Sequence, residues 1–177
     1  MKFPALIFIF AILVYSGCSK LDELTKFDLE YTETVIIPSS VGLNLPLNIL
    51  TPDIETDAES TFAVNDTRKD LIEEILLESL QLSITDPADG DFSFLKSVNI
   101  FLSADELPEI EVAWLNEIPT DPGNFLELMT TQEDLKAYIK KDAFNLRVNT
   151  VTDELITSDH HIQINSTFSV DAKILGQ

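Results

Sequence analysis

One thiol is the most reactive group in the sequence, and it stands at the end of an apolar N-terminus. Cys18 is the only cysteine among 177 residues, so an internal disulfide is excluded. A deprotonated thiol is a good nucleophile, suited to receive a covalently attached group. Before it come Lys2, the uninterrupted apolar run 5–15 and the small pair Ser16-Gly17, in the order of a secretory signal peptide. The run is shorter than the about 20 residues of a spanning helix, and its flanks disfavour a buried strand.

The segment Val14-Tyr15-Ser16-Gly17-Cys18 resembles the lipobox of bacterial lipoproteins, in which a small residue precedes an invariant cysteine. The resemblance implies that Gly17 is the last residue removed and that Cys18 becomes the lipidated first residue of the mature chain. Acyl chains contribute about 0.8 kcal/mol of membrane affinity per buried CH₂, so several chains together anchor a protein firmly. The alternative is an ordinary signal peptide that a cysteine follows by coincidence.

The residues after the cysteine bear on location. Ser19-Lys20-Leu21-Asp22-Glu23 resembles, with an inserted leucine, the export signal that sends lipoproteins of Bacteroidota to the outer face of the outer membrane. The alternative is a short polar tether. We therefore expect a lipid-anchored protein of the bacterial cell envelope, in the outer membrane, with its leaflet left open.

Histidines and clustered acids are the other residues that could do chemistry. His160 and His161, next to Asp159, are the two histidines of the chain. Adjacent residues of a strand point to opposite faces, so we expect surface histidines rather than a shared zinc site. The segment 86–91 (DPADGD) has the composition of a calcium loop but not the spacing of an EF-hand, and Asp-Pro and Asp-Gly pairs favour a solvated turn.

Motifs that hold cofactors, metals or nucleophiles are missing from the sequence. GxGxxG, GxxxxGKS/T, HExxH, CxxC and GxSxG do not occur. We therefore predict no cofactor, no metal site and no catalytic residues.

The charge is strongly unbalanced, with 31 acidic against 11 basic residues and a net charge of −20 at pH 7. Loss of residues 1–17 removes one lysine and makes the mature balance 10 − 31 = −21. Such a surface repels phosphate backbones, so nucleic acid is excluded as a partner, as is adhesion to anionic lipid through a basic patch.

Alternation of apolar and polar residues dominates the rest of the chain and is typical of strands with one buried face. The clearest strand covers 162–174, and shorter ones are predicted around 27–31, 43–49, 80–84, 98–102, 110–114 and 144–149. Pro46 places the second of these shorter strands at a sheet edge. In 110–114 we expect Trp114 to face the core together with Ile110 and Val112.

Two segments interrupt this alternation. After a cap at Asp66 or Thr67, the apolar residues 71, 72, 75 and 76 have helical spacing and predict a helix that leads into the strand at residue 80. Asp86-Pro87 should end that strand. A second short helix is predicted over residues 132–141, with acids in its first turn and lysines in its last.

About seven strands and two short helices favour a mainly β fold, an antiparallel β-sandwich that is immunoglobulin-like in outline. A partly closed β-barrel is the alternative. The organisation that follows is a signal peptide (1–17), a lipidated N-terminus with a short tether (18–25) and a single sandwich domain (26–177).

The function expected from these features is that of a lipid-anchored, non-enzymatic accessory or binding module. Its partners would be the membrane, through the lipid, and an envelope protein or a glycan. One alternative is a secreted or surface hydrolase with a site built from scattered acids. Another is a carrier with an apolar ligand between its sheets, which requires a large interior cavity.

Overall fold

The computed structural model describes residues 25–39, 46–152 and 154–173. In chain order the strands are β1 (Lys26–Ile37), β2 (Pro46–Leu50), β3 (Ile54–Glu55), β4 (Ile72–Asp86), β5 (Leu95–Ala104), β6 (Ile110–Leu115), β7 (Phe125–Glu127), β8 (Met129–Thr130), β9 (Ala143–Thr152) and β10 (His160–Ala172). Two short helices are present in these ranges, α1 (Ala58–Val64) and α2 (Lys136–Ile139). Neither is long and apolar enough to cross a membrane.

The strands form two antiparallel sheets, so the predicted mainly β sandwich is confirmed. Sheet A has the order β1-β10-β4-β7, and sheet B has the order β2-β9-β5-β6-β8, with β3 also paired to β9. The sheets do not close into a barrel in the part of the chain described. Without the two-residue strands β3 and β8, the eight remaining strands follow the order 1-8-3-6 in one sheet and 2-7-4-5 in the other. This is the order of a jelly roll, which refines the immunoglobulin-like outline.

The core lies between the sheets and follows the predicted alternation. In β10 every second residue from Ile162 to Ala172 is buried, whereas Ile174 lies outside the described residues. Tyr31, Phe144 and Phe168 meet edge to face, with ring centroids 5.1 to 5.9 Å apart. Burial of each such side chain stabilises the fold by about 1.5–3 kcal/mol.

The helix predicted from residue 71 onward is wrong, because β4 runs without interruption from Ile72 to Asp86. A turn of 3₁₀-helix over Lys69–Leu71 precedes it. The pairing with β10 skips Glu73 and Glu78, so each is a β-bulge. A bulge inserts one extra residue and resets the alternation. The buried positions therefore lie three residues apart at both places, and this spacing imitates a helix. The strand ends at Asp86, as predicted.

The sequence pattern also misplaced the helices. The helix α1 falls where no helix was predicted, and its buried residues are Ala58 and Phe62. Of the helix predicted over 132–141 only the single turn α2 is present, and the acids expected in its first turn precede it. Asp134 attaches this turn to sheet A, because its Oδ1 accepts hydrogen bonds from the backbone N–H of Ile75 at 3.1 Å and of Lys136 at 3.0 Å.

A bulge in β6 overturns the predicted orientation of Trp114. Glu111 pairs with Phe101 and Ala113 pairs with Ile100, so the ladder to β5 skips Val112. Val112 and Ala113 are both buried, and the residue after them points away from the core. Trp114 consequently lies on the exposed face of sheet B.

The edge position of β2 is confirmed, since it pairs with β9 at the border of sheet B. Leu47 and Ile49 pack against the core from this edge. Leu43 and Leu45, predicted in the same strand, lie outside the described residues.

Candidate binding surface

The exposed face of sheet B carries a row of side chains that crosses five strands. Residues paired across antiparallel strands share a face, and neighbouring strands lie about 4.8 Å apart. The pairings between β2, β9, β5, β6 and β8 align, in this order, Asn48, Asn149, Asn99, Trp114 and Met129. Three amides are thus followed by an aromatic ring and a thioether.

A second row runs parallel to the first. It contains Leu50, Arg147, Phe101 and Glu111, on β2, β9, β5 and β6. We call the nine residues of the two rows the outer platform. At its border, the side chains of Leu50 and Met129 are 60% and 61% exposed, whereas Phe101 and Trp114 in its middle are half-buried.

Hydrogen bonds between side chains fix the amides of the outer platform. Asn149 Nδ2 donates to Asn48 Oδ1 at 2.9 Å, and Asn99 Nδ2 donates to Glu111 Oε1 at 2.6 Å. An asparagine amide offers two donors and one acceptor oxygen. These bonds do not use the carbonyl oxygens of Asn99 and Asn149 or the amide nitrogen of Asn48, and such groups can bind a ligand.

Arg147 is held from three sides. Glu109 accepts two hydrogen bonds from its guanidinium, from Nε at 2.8 Å and from Nη2 at 2.6 Å, and Asn48 Oδ1 accepts a third at 2.6 Å. The guanidinium also lies 4.2 Å from the ring centroid of Phe101. The hydrogen bonds from Arg147 lower the pKa of the Glu109 carboxyl, and those to Glu109 raise the pKa of the Arg147 guanidinium. The pair therefore stays ionised and its charges compensate each other.

A second candidate is an open groove of about 600 Å³ where β5 ends and β9 begins. Four acidic residues line it, Asp53, Asp105, Glu106 and Asp142, together with Lys141 and Asn145. Asn145 Nδ2 donates to Asp53 Oδ1 at 2.8 Å, and Lys141 lies 3.7 Å from Glu106. The hydrolase alternative requires a site built from acidic residues, and this groove is the candidate for it.

The carboxyls with displaced pKa values lie elsewhere. Asp91, Glu109, Asp134 and Asp159 each have a lowered pKa, and none of them lines the acidic groove. For Asp91 the cause is hydrogen bonding to Ser93, and for Asp159 it is hydrogen bonding to the backbone of Ser39. A lowered pKa keeps a carboxylate ionised, which is the opposite of what a general acid needs.

The structure separates the two histidines, as predicted, but one of them is not at the surface. His160 is 8% exposed, its ring centroid lies 4.5 Å from that of Phe94, and its Nδ1 lies 2.9 Å from the Ser158 carbonyl oxygen. His161 faces outward on the same strand. His160 occupies the first inward position of β10, and the inward residues of this strand are buried. Within the described ranges, three or more potential metal-binding side chains do not come together.

The acidic segment 86–91 forms the turn that the sequence predicted. The N–H of Gly90 donates to the Pro87 carbonyl at 2.9 Å, and a Cβ at Gly90 would lie 3.0 Å from that same oxygen. Asp91 Oδ1 accepts a hydrogen bond from the N–H of Ser93 at 2.8 Å and so caps the following 3₁₀ turn. The local role of Asp91 is therefore structural.

The predicted site residues Gly17 and Cys18 lie outside the described residues, so signal cleavage and lipid attachment remain predictions. The outer platform was missed for a different reason. Its residues lie on five strands, and alternation placed Arg147 and Asn149 outward but assigned Trp114 to the core. A signal existed in the outward side chain of Phe101, an aromatic ring on the polar side of its strand.

Comparison with known proteins adds little. No family model and no curated protein matches the chain. Similar solved structures include CBM32-3 from a family 31 glycoside hydrolase of Clostridium perfringens (11% identity, 86% of this chain and 94% of the other, TM-score 0.33). Another is the winged bean acidic lectin (10% identity, 83% of this chain and 100% of the other, TM-score 0.31). A third is turnip yellow mosaic virus (13% identity, 86% of this chain and 96% of the other, TM-score 0.29). These low TM-scores carry no information about ligand or activity.

Proposed function

We propose that the protein is a lipid-anchored, non-enzymatic binding module of the bacterial cell envelope, with the outer platform as its binding surface. The observation that carries the binding role is the row Asn48, Asn149, Asn99, Trp114 and Met129, which aligns amides and an aromatic ring on the solvent side of a sheet. Core packing does not require amides or an aromatic ring on this side. Five polar or charged residues with two aromatic rings among nine make a surface suited to recognition.

The anchoring role is supported by the lipobox-like segment that ends at Cys18. The strand β1 starts at Lys26, eight residues later (26 − 18), and an extended chain spans at most about 3.5 Å per residue. A lipid on Cys18 would thus hold the domain within about 28 Å of the membrane. The chain enters the domain at β1, an edge strand of sheet A, whereas the outer platform lies on sheet B.

A processing experiment tests the anchor. The full-length chain is expressed in a bacterium that processes lipoproteins, with and without globomycin, and compared with Cys18→Ala. We expect globomycin to cause accumulation of a larger precursor, and Cys18→Ala to lose incorporation of labelled fatty acid and membrane retention. Ser16→Ala is the matched control, because a small residue before the cysteine is preserved. Unchanged size and fractionation of Cys18→Ala would overturn the anchor.

A labelling experiment tests the binding surface and the leaflet together. Because lipidation occupies the thiol of Cys18, Met129→Cys places a single free thiol at the border of the outer platform. Leu155→Cys is the control, since Leu155 is also strongly exposed, at 66%, but lies outside the outer platform. We expect an impermeant maleimide to label both on intact cells if the domain faces outward. A bound partner should protect position 129 and not position 155. Equal labelling of both positions in native membranes and in purified protein would contradict the binding surface.

A further inference from the structure

The ligand class of the outer platform follows from its chemistry, an inference that rests on the proposed function. We propose that the outer platform binds a short, neutral oligosaccharide, which stacks on Trp114 and forms hydrogen bonds with the asparagine row.

The polar groups of the row match sugar hydroxyls. A hydroxyl is both a donor and an acceptor, so it is best met by groups that offer both. The row presents the amide nitrogen of Asn48 as a donor and the carbonyl oxygens of Asn149 and Asn99 as acceptors. Hydrogen bonds of 2.6 and 2.9 Å between side chains hold these amides in place before a ligand arrives, which lowers the entropy cost of binding.

The aromatic part of the platform matches the other surface of a sugar ring. A pyranose ring has apolar C–H groups on its faces, and these pack against the face of an aromatic ring through dispersion and weak C–H contacts. Trp114 provides the largest such face and directly adjoins Asn99 in the row. One ligand can therefore contact the indole and the amides together.

The charge of the platform selects against acidic ligands. The positive charge of Arg147 is compensated by the carboxylate of Glu109, which accepts two of its hydrogen bonds, so the pair offers an anionic sugar no net positive charge. Glu111 adds a further negative charge, and the whole chain carries −20. Anionic sugars would be repelled, whereas neutral ones pay no such cost.

The nine residues of the outer platform cover a smaller area than a protein interface does. Five strands about 4.8 Å apart give a row of about 19 Å, and two rows about 7 Å apart cover roughly 19 by 14 Å, or about 270 Å². A stable protein interface buries about 800 Å² on each partner. Met129 adjoins Trp114 at one border of the platform, whereas Leu50 lies at the opposite border beside Arg147. An area of this size suits an oligosaccharide.

The test uses the full-length lipidated protein in detergent and measures binding by calorimetry and on an oligosaccharide array. The probes are neutral hexasaccharides of glucose, mannose, xylose and galactose, with oligogalacturonate as the acidic probe. We expect at least one neutral hexasaccharide to bind at micromolar to millimolar concentration and oligogalacturonate not to bind. Binding of the acidic probe alone, or of none of the probes, would overturn the proposal.

Variants connect the binding to the platform. Trp114→Ala should weaken binding about tenfold or more, since stacking energy and burial are lost. Asn99→Ala should weaken it about fivefold, the equivalent of one hydrogen bond. Phe125→Ala is the matched control, because this ring is 46% exposed on sheet A, and it should bind as the wild type does. Trp114→Phe, which keeps a ring, guards against a folding defect in Trp114→Ala and should retain part of the affinity. Wild-type affinity in folded Trp114→Ala would overturn the proposal.

Failure of this inference is distinguishable from failure of the proposed function. If a protein from native membranes crosslinks to position 129 and this crosslink is lost in Trp114→Ala, while all hexasaccharides fail to bind, the binding module stands and the oligosaccharide is refuted.

Discussion

At the scale of single residues, the aromatic side chains divide into two groups with different duties. Phe144 and Phe168 are 1% exposed and meet Tyr31 edge to face, so they hold the two sheets together. Burial, with a smaller contribution from Asp57, raises the pKa of Tyr31 to about 12, and its hydroxyl hydrogen-bonds to the Thr56 carbonyl oxygen at 3.2 Å. Trp114 and Phe101, in contrast, lie on the solvent side. An aromatic ring therefore indicates core or binding surface only once its face is known.

The buried ring of Phe144 should contribute strongly to stability. Phe144→Ala should lower the free energy of unfolding by about 3–5 kcal/mol, because it leaves a cavity between packed sheets. Phe125→Ala, which removes the same atoms from a ring that is 46% exposed, should cost less than about 1 kcal/mol. Urea unfolding of both variants provides the comparison. Equal losses would mean that the ring cluster does not carry the core.

At the scale of elements, β-bulges decide which side chains of a strand face the core and which face the solvent. Glu78 is the bulge residue between Leu77 and Leu80 of β4, both of which are buried. Removing it would join Leu77 to Ser79 and leave a regular alternation. Removing Gln81, which lies between two buried leucines, would instead place Leu80 and Leu82 side by side, so that one of them faces solvent.

A pair of deletions tests this description of β4. Deletion of Glu78 should give a folded protein that unfolds cooperatively, with a loss of about 0.5–3 kcal/mol. Deletion of Gln81 should cost more or prevent folding, because the apolar face of half the strand is inverted. Circular dichroism and urea unfolding measure the difference. If the deletion of Gln81 is the better tolerated, the bulge assignment is wrong.

The attachment of α2 to sheet A gives a pH-dependent prediction. Burial raises the pKa of Asp134, but hydrogen bonds and the charge of Lys136, with the N–H of Ile75, outweigh it and leave the pKa below its usual 3.8. A group with a lowered folded pKa stabilises the protein above its unfolded pKa and loses this contribution as pH falls through the folded value.

Asp134→Asn should therefore be less stable than the wild type at pH 6, and this difference should shrink toward pH 2. Urea unfolding at several pH values measures it, with Glu133→Gln as the control for removal of a neighbouring charge. A difference that does not change with pH would refute the role of the Asp134 carboxylate.

At the scale of the whole molecule, we expect repulsion between acidic groups to outweigh the ion pairs. Each of the eight ion pairs in the described residues has a partner whose side chain is more than one third exposed. Such pairs contribute about 0.2–1 kcal/mol each. A net charge of −20 opposes the compact state at long range, and salt screens long-range repulsion more than close pairs.

Stability should accordingly rise with ionic strength. Between about 10 and 150 mM NaCl the Debye length falls from about 30 to about 8 Å. We expect Tm to increase by about 2–4 °C, the equivalent of about 1 kcal/mol. Differential scanning fluorimetry measures it, and choline chloride at the same concentrations should act equally if screening is the cause. A constant or falling Tm would show that the ion pairs dominate.

The sequence by itself determined the structural features that depend only on residues adjacent in the chain. Alternation in 162–172 predicted a half-buried strand, Pro46 predicted an edge and DPADGD predicted a turn, because side-chain direction and turn chemistry are local. The acidic charge needed no structure at all. These features suffice for a sandwich with a polar outer surface.

Only the tertiary structure decided the strand order and the faces of β4 and β6. A bulge is defined by the pairing with the partner strand, so the local sequence around Glu78 and Val112 does not reveal it. In β4 its effect on the spacing of apolar residues resembled a helix. In β6 it led to the wrong prediction that Trp114 faces the core. The outer platform depends on these long-range pairings, since its nine residues come from five strands. Their chemistry becomes visible when the sheet places them side by side.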